Sequence, residues 1–195
     1  MTDISKAISI PGWMTELELQ WLAQQASVHS VIAEIGSWRG RSTRAMADNT
    51  NGKIFAIDSW DDSAVGYPGW WTASEAASES SPSKTSRPNW LWDEFHAHIG
   101  QYIGTRVIPM RMFSAYAYEV FQRRGQKFDM VFIDGSHDYG HVRGDILMFS
   151  ELLSAGGVLC GHDYNEPTCP EVAPAVHSVF PTVEVTERIW CVTQS

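Results

Sequence analysis

The segment from Val31 to Asp58 constrains the fold more than any other part of the chain. Val31-Ile32-Ala33-Glu34-Ile35 is a short, nearly continuous apolar run, which is how a strand buried on both faces of a parallel sheet reads. The run stops at Gly36. Ser42 to Asn49 then has helical character and Lys53-Ile54-Phe55-Ala56-Ile57-Asp58 is a second strand, so this stretch makes one strand-helix-strand unit. The alternation continues. Arg106 to Met112 is expected as a third strand, Phe128 to Asp134 as a fourth and Gly157 to Gly161 as a fifth. Between them lie a helix capped by Asn89 and carrying Trp90, Trp92, Phe95 and Ile99, one capped by Ser114 and ending near Gly125, and one over His141 to Leu153. Ahead of the sheet, Thr15 and Glu18 have capping-box spacing, and Leu19, Leu22, Ala23 and Ala26 share one helical face. After a short helix within Glu171 to Phe180, Val183 to Val192 supplies one or two strands but too little chain for another crossover, so a closing antiparallel hairpin is expected. The whole reads as a three-layer α/β/α domain with a mostly parallel sheet of about seven strands.

A length of 195 residues suits one buried core, so residues 1–195 are read as a single domain. With 44% hydrophobic and 19% charged residues the composition is that of an ordinary globular protein, and no apolar run approaches the ~18 residues of a membrane span. The first residues, Met1 to Lys6, lack the apolar stretch of a secretory signal, which makes the cytoplasm the expected location. Cys160, Cys169 and Cys191 include no close pair and are read as reduced thiols. A net charge of −9 opposes phosphate-tracking surfaces, so small molecules or sugars are expected as partners rather than nucleic acid or membrane, with homo-oligomerisation left open.

Glu34-Ile35-Gly36-Ser37-Trp38-Arg39-Gly40 occupies the turn from the first strand into the first helix. Its glycines allow a tight bend and close approach to a ligand, while the helix amino terminus offers N–H groups and a positive dipole end to a carboxylate. Glu34 can receive an ammonium. A ligand with both groups is an amino acid, and the methionyl part of S-adenosylmethionine is one. Asp58 ends the second strand, the position from which an acid reaches ribose hydroxyls in adenosine-binding α/β folds. The Gly-x-Gly-x-x-Gly spacing of dinucleotide sites is absent, which favours S-adenosylmethionine over a nicotinamide cofactor. Taken alone, the glycines are equally a structural strand-to-helix bend.

Two more strand endings carry chemistry: Ile133-Asp134-Gly135-Ser136-His137-Asp138-Tyr139 and Gly161-His162-Asp163-Tyr164. In an open parallel sheet both reach the carboxyl edge, where ligands bind. Asp134 and Asp163 are hard oxygen ligands suited to Mg²⁺, and His162 beside them is a further metal-ligating candidate. A divalent cation lowers the pKa of an acceptor hydroxyl, and His137 is the natural general base. The plainer alternative is that the acids cap turns and that His162 is a satisfied, partly buried side chain.

Taken together, Glu34-x-Gly36-x-x-x-Gly40-x-Ser42, the Asp134 to Tyr139 run followed by Val142 and Asp145, and Gly156-Gly157-Val158 with Gly161 to Tyr164 resemble class I methyltransferase family 24. That family includes metal-dependent sugar O-methyltransferases of macrolide biosynthesis, and the resemblance runs from about Val31 to Trp190. It implies a Rossmann-like fold, Mg²⁺ on Asp134 and Asp163, His137 as base and Ser114 against adenine, with Asp61 or Asp62 as a source of the third metal carboxylate. The set expected to contact the cofactor is Glu34, Gly36, Ser37, Gly40, Ser42, Asp58, Ser59, Trp60, Phe113, Ser114 and Asp134.

Trp60, Trp70, Trp71, Trp90 and Trp92 crowd the segment at 59–92, which reads either as an acceptor-binding lid or insertion or as a self-packed cluster or subunit interface. Two other functions compete with methyl transfer to a hydroxyl. One is a nicotinamide-dependent oxidoreductase, which the glycine spacing disfavours, and the other is a protein that binds S-adenosylmethionine without catalysis.

Overall fold

In a computed structural model, which describes residues 2–61 and 89–194, the run Val31–Ile35 becomes strand β1 in the middle of a seven-stranded sheet. The others are β2 (Lys53–Asp58), β3 (Val107–Arg111), β4 (Phe128–Ile133), β5 (Leu153–Gly161), β6 (Glu184–Thr186) and β7 (Ile189–Thr193). Their order is β3-β2-β1-β4-β5-β7-β6. The first five run parallel, β7 is antiparallel to β5 and β6 to β7, which is the expected closing hairpin. From β1 the chain builds outward to β2 and β3 on one side and returns to build β4 and β5 on the other. The order therefore reverses between β1 and β4, and a reversal opens a crevice at the carboxyl edge.

Side-chain alternation divides the core in two. Ile32, Ile54, Met130 and Phe132 face α1 (Ser5–Ile8), α2 (Glu16–Val28), α3 (Arg41–Asn49) and α4 (Trp90–Ile99). Ala33, Ile35, Val131 and Ile133 face α5 (Ser114–Arg124), α6 (Tyr139–Ser150) and α7 (Val172–His177). Each fully buried aliphatic or aromatic side chain contributes roughly 1.5–3 kcal/mol, so burial on both faces fixes the register of the central strands. Glu34 has the parity of Ile32 and so points beneath α3 rather than along the sheet edge.

The local signals hold with shifts at the ends. Thr15 and Glu18 form the capping box of α2, Thr15 Oγ1 accepting from the Glu18 N–H at 3.2 Å and Glu18 Oε2 from the Thr15 N–H at 2.7 Å. Asp138 caps α6 by accepting from the His141 N–H, so that helix begins at Tyr139 and ends at Ser150, and Leu153 already belongs to β5. One expected cap holds and one shifts. Asn89 is the N-cap of α4, with φ +73° and its carbonyl accepting from the Asp93 N–H at 2.9 Å while its side chain accepts from Arg111 Nη2 at 2.6 Å, and Phe113 rather than Ser114 is the N-cap of α5. The short α1 carries too few residues for a periodic signal.

Of the tryptophan segment, Trp70 and Trp71 lie outside the described residues, and so does Asp62. Trp60 is completely buried, its ring centroid 4.7 Å from that of Trp92 and 4.6 Å from that of Phe95, and its Nε1 donates to the Trp38 carbonyl at 2.7 Å. Trp90 and Trp92 pack on the same cluster. These three residues form a packed aromatic cluster.

Gly36 decides how the two halves of the sheet edge meet. Its φ is +86°, and a Cβ there would stand 2.0 Å from the carbonyl oxygen of Asp134. Gly36→Ala is expected to cost about 3 kcal/mol or more, from backbone strain plus overpacking. Chemical denaturation measures it, and a loss below about 1 kcal/mol, the typical effect of a point substitution, would mean that the turn after β4 moves freely aside.

Candidate active site

The turn after β1 is held from below by Glu34. Its side chain is fully enclosed, and its carboxyl accepts from Ser37 Oγ at 2.7 Å, Ser42 Oγ at 2.5 Å and Thr43 Oγ1. The carboxyl expected to meet a ligand ammonium is thus consumed by three hydroxyls, and the Ser37 and Ser42 side chains face Glu34 rather than the cleft. These contacts tie the turn to the first residues of α3. Gly40, at φ +89°, is the N-cap of α3 and carries no side-chain acceptor, which leaves the first N–H groups of that helix suited to an anionic group. A Cβ on Gly40 would meet Ile99 Cγ1 at 2.8 Å, so this glycine also makes room for α4.

Asp58 sits at the end of β2, half-buried. Its Oδ2 accepts from the Trp38 N–H at 2.8 Å and its Oδ1 from the Trp60 N–H at 2.7 Å. Both tryptophans have positive φ, +43° and +41°, which bulky residues adopt rarely, so one carboxylate stabilises two strained turns. Burial raises the Asp58 pKa and these N–H groups oppose the rise. Each oxygen retains a lone pair for a further donor. Ser59 Oγ accepts from the Asp61 N–H at 3.3 Å. Across the edge, Phe113 is 55% exposed, and the Ser114 hydroxyl bonds Asp145, whose pKa burial lifts to about 6.

The ends of β4 and β5 bring Asp134, His137, His162 and Asp163 together. Asp134, His137 and His162 line a small open cleft with Val142, Val172 and Trp190. His137 Nε2 lies 2.8 Å from Asp163 Oδ2. His162 is 4% exposed, its Nδ1 standing 3.1 Å from Asp163 Oδ1 and 3.6 Å from Asp134 Oδ1. On its other side Nε2 is 3.2 Å from Glu18 Oε1, within ion-pair reach but off the angle of a hydrogen bond. Burial alone would lower both histidine pKa values, yet the carboxylates prevail: Asp163 raises His137, while Asp134, Asp163 and Glu18 push His162 up to about 12. Asp163 is held well below the carboxylate range by the two imidazoles against the effect of burial, and burial raises Asp134. Asp163 itself has φ +58°.

This donor set fits a divalent cation. The facing atoms of Asp134, His162 and Asp163 all lie within 4.8 Å of one another. Ligands about 2.0–2.1 Å from one cation stand about 3.0–3.4 Å apart in octahedral or tetrahedral sites, close to the spacings of His162 Nδ1 from the two carboxylates. His162, one of the expected ligands, completes this group with Asp134 and Asp163, and among the described residues Asp61 belongs to neither group of metal-ligating side chains. Sequence reasoning missed Glu18 and Cys169. Glu18 carries only a helix-cap signal, and Cys169 joins His137 and Asp163 solely through the chain's return after β5.

An open α/β sheet with a glycine turn and an acid at the ends of β1 and β2, and acids with histidines at the ends of β4 and β5, defines a nucleoside-cofactor group-transfer enzyme. The sequence model of a methyltransferase domain, family 24, matches residues 33–164, and the chain belongs to that family of methyltransferases. No curated protein matches the sequence. Among solved structures, the O-methyltransferase from Bacillus cereus in complex with SAH is similar over 96% of this chain and 86% of its own, with 16% identity and TM-score 0.63. The calicheamicin methyltransferase CalS11 is similar over 91% and 77%, with 14% identity and TM-score 0.61. The O-methyltransferase NovP matches over 91% and 79%, with 15% identity and TM-score 0.58. At these identities the likeness establishes the fold.

Glu34 supplies a test of the cofactor turn. Burial lifts its pKa from the ordinary 4.5 to about 7, three hydroxyl donors opposing and Asp134 assisting. A folded value above the unfolded one means that the native state holds the proton more tightly. The associated stability is present in full below about pH 4.5 and lost as pH rises through 7. Glu34→Gln is expected to remove a decline of about 3 kcal/mol between pH 4 and 8, read from denaturation curves across that range. Identical pH slopes in the two proteins would mean that burial does not shift the Glu34 pKa on folding.

Proposed function

We propose that this chain is an O-methyltransferase, transferring the methyl group of S-adenosylmethionine to a hydroxyl of a small molecule or sugar with the help of a divalent cation. One observation carries the reading: the glycine turn, Asp58, and the Asp134–His137–His162–Asp163 group all lie at the carboxyl ends of neighbouring strands in one sheet. In this reading residues 1–195 act as one domain, with the tryptophan-rich segment at about 59–92 as an insertion. The names of the similar structures, which describe O-methyltransferases, support the acceptor class. No helix among the described residues is long and apolar enough to cross a membrane, and the three cysteines are free thiols although Cys160 and Cys191 are opposite each other in the register of β5 and β7. Both facts support a cytoplasmic setting.

The chemistry follows from the positions. The α3 amino terminus and the turn at Gly36 to Gly40 bind the methionyl carboxylate, and Asp58 accepts from ribose hydroxyls with the lone pairs that Trp38 and Trp60 leave. Phe113 and Ser114 lie toward the adenine. Asp134, Asp163 and His162 would hold a divalent cation, which would supply Lewis-acid polarisation of the acceptor hydroxyl. His137 has one ring nitrogen on Asp163 and the other available to take the acceptor proton, and Asp163 holds the imidazolium that results. The acceptor oxygen bonds the methyl carbon as the carbon–sulfur bond breaks, leaving S-adenosylhomocysteine.

Asp58→Ala is expected to weaken S-adenosylmethionine binding at least tenfold, since hydrogen bonds to a charged acceptor contribute roughly 1.5–3 kcal/mol each. Calorimetry measures this, and unchanged affinity would remove the cofactor assignment. His137→Asn is expected to leave that affinity intact and lower the turnover number by ~10²-fold or more. A turnover number within a factor of a few of wild type would assign the proton to another group.

A further inference from the structure

Glu18 belongs to no strand end, yet it reaches the cluster. It is completely buried at the start of α2, and its position is over-determined: Oε2 accepts from the Thr15 N–H at 2.7 Å, and Arg188 grips the carboxylate with Nε at 3.1 Å from Oε1 and Nη2 at 3.2 Å from Oε2. Its Oε1 faces Nε2 of His162, whose opposite nitrogen faces Asp134 and Asp163. The imidazole is therefore sandwiched between the enclosed Glu18 carboxylate on one side and, on the other, those of Asp163 and of Asp134, which lines the cleft.

We propose that the cation held by Asp134, His162 and Asp163 is a borderline transition-metal ion of the zinc, cobalt(II) or nickel kind rather than Mg²⁺, and that Glu18 is the positioning residue that turns the His162 Nδ1 lone pair toward it. The proposal rests on the divalent-cation reading above and goes past it in naming the class of ion. Mg²⁺ favours octahedral oxygen ligands and retains water, whereas imidazole nitrogen suits later first-row ions. A histidine that ligates metal commonly gives its other N–H to a carboxylate, which selects the tautomer and fixes the ring. Glu18 Oε1 stands 3.2 Å from that second nitrogen of His162, within ion-pair reach and on the side opposite Asp134 and Asp163. A neighbouring group of ligating side chains shares Asp163. Cys169 Sγ lies within 4.8 Å of the ligating atoms of His137 and Asp163, so Asp163 is shared by an O/N/O set and an N/O/S set. Sulfur is a donor for soft and borderline ions and not for Mg²⁺.

The test uses chelator-stripped, full-length protein titrated with Co²⁺ and with Mg²⁺ by calorimetry, alongside S-adenosylmethionine titrations. Any nitrogen-containing site ranks Co²⁺ above Mg²⁺, so the comparison among variants decides. His162→Asp is expected to lower Co²⁺ affinity at least tenfold without lowering Mg²⁺ affinity, and Glu18→Gln to lower Co²⁺ affinity about tenfold, in the range seen when outer carboxylates of metal sites are changed. Proton NMR of the Co²⁺ form reads the ligand directly. It is expected to contain a paramagnetically shifted, slowly exchanging imidazole N–H that persists in His137→Asn and exchanges faster in Glu18→Gln. If His162→Asp does not fold, these spectra decide alone. Equal losses of Co²⁺ and Mg²⁺ affinity in His162→Asp, or no shifted N–H in the wild type, overturns the proposal. Failure of every cation to bind while S-adenosylmethionine still binds overturns it together with the cation reading but spares the methyltransferase reading, which falls only if S-adenosylmethionine does not bind.

Discussion

The contact on which the rest of the site depends is the approach of two backbones at the carboxyl edge, where Gly36 lies against the peptide of Asp134 with no space for even a methyl group. Gly36 donates its N–H to Ile57 at 2.8 Å, and Asp134 donates its own to Ile35 at 2.8 Å. The turns leaving β1, β2 and β4 are thereby linked through main chain, which is stiffer than side-chain contact. In the proposed reading these turns hold the cofactor and the catalytic groups, and main-chain links give them a fixed separation, as methyl transfer requires of reacting atoms held in line at close range.

Strain gathers along the same edge. Trp38, Trp60 and Asp163 all have positive φ, and each stands in a turn that follows a strand at the carboxyl edge. Such conformations persist only where the surroundings over-determine them. Asp58 does so for the tryptophans with two N–H bonds, and the two histidines do so for Asp163. The carboxylates thus have structural work whether or not a ligand is present.

The amino-acid sequence makes the sheet legible because burial on both faces leaves a visible mark: Val31 to Ile35 and Phe128 to Ile133 are apolar runs closed by glycine or acid. The strand endings were readable for the same reason, since a polar residue directly after such a run must emerge at the edge. What periodicity does not carry is the facing of an acid inside a strand. Glu34 looks available in a linear motif, but its parity with Ile32 sends it under α3, where Ser37, Ser42 and Thr43 enclose it. Trp60 follows Asp58 closely and reads as a cofactor neighbour, yet Phe95 and Trp92, far along the chain, draw it into the core. Glu18 is the extreme case, because its local pattern is fully explained by the capping box and its second role depends on a residue 170 positions away.

That last separation has a consequence for how the protein comes into being. Arg188 stands between β6 and β7 and clasps Glu18, Glu166 and the carbonyl of Trp13. The final hairpin thus latches the start of α2 against the segment after β5. Contacts between chain ends so distant form late, after the costs of closing the intervening loops have been met. During synthesis the sheet through β5 can assemble while the wall behind His162 is still open, and the cluster acquires its final electrostatic surroundings only when residue 188 has emerged from the ribosome.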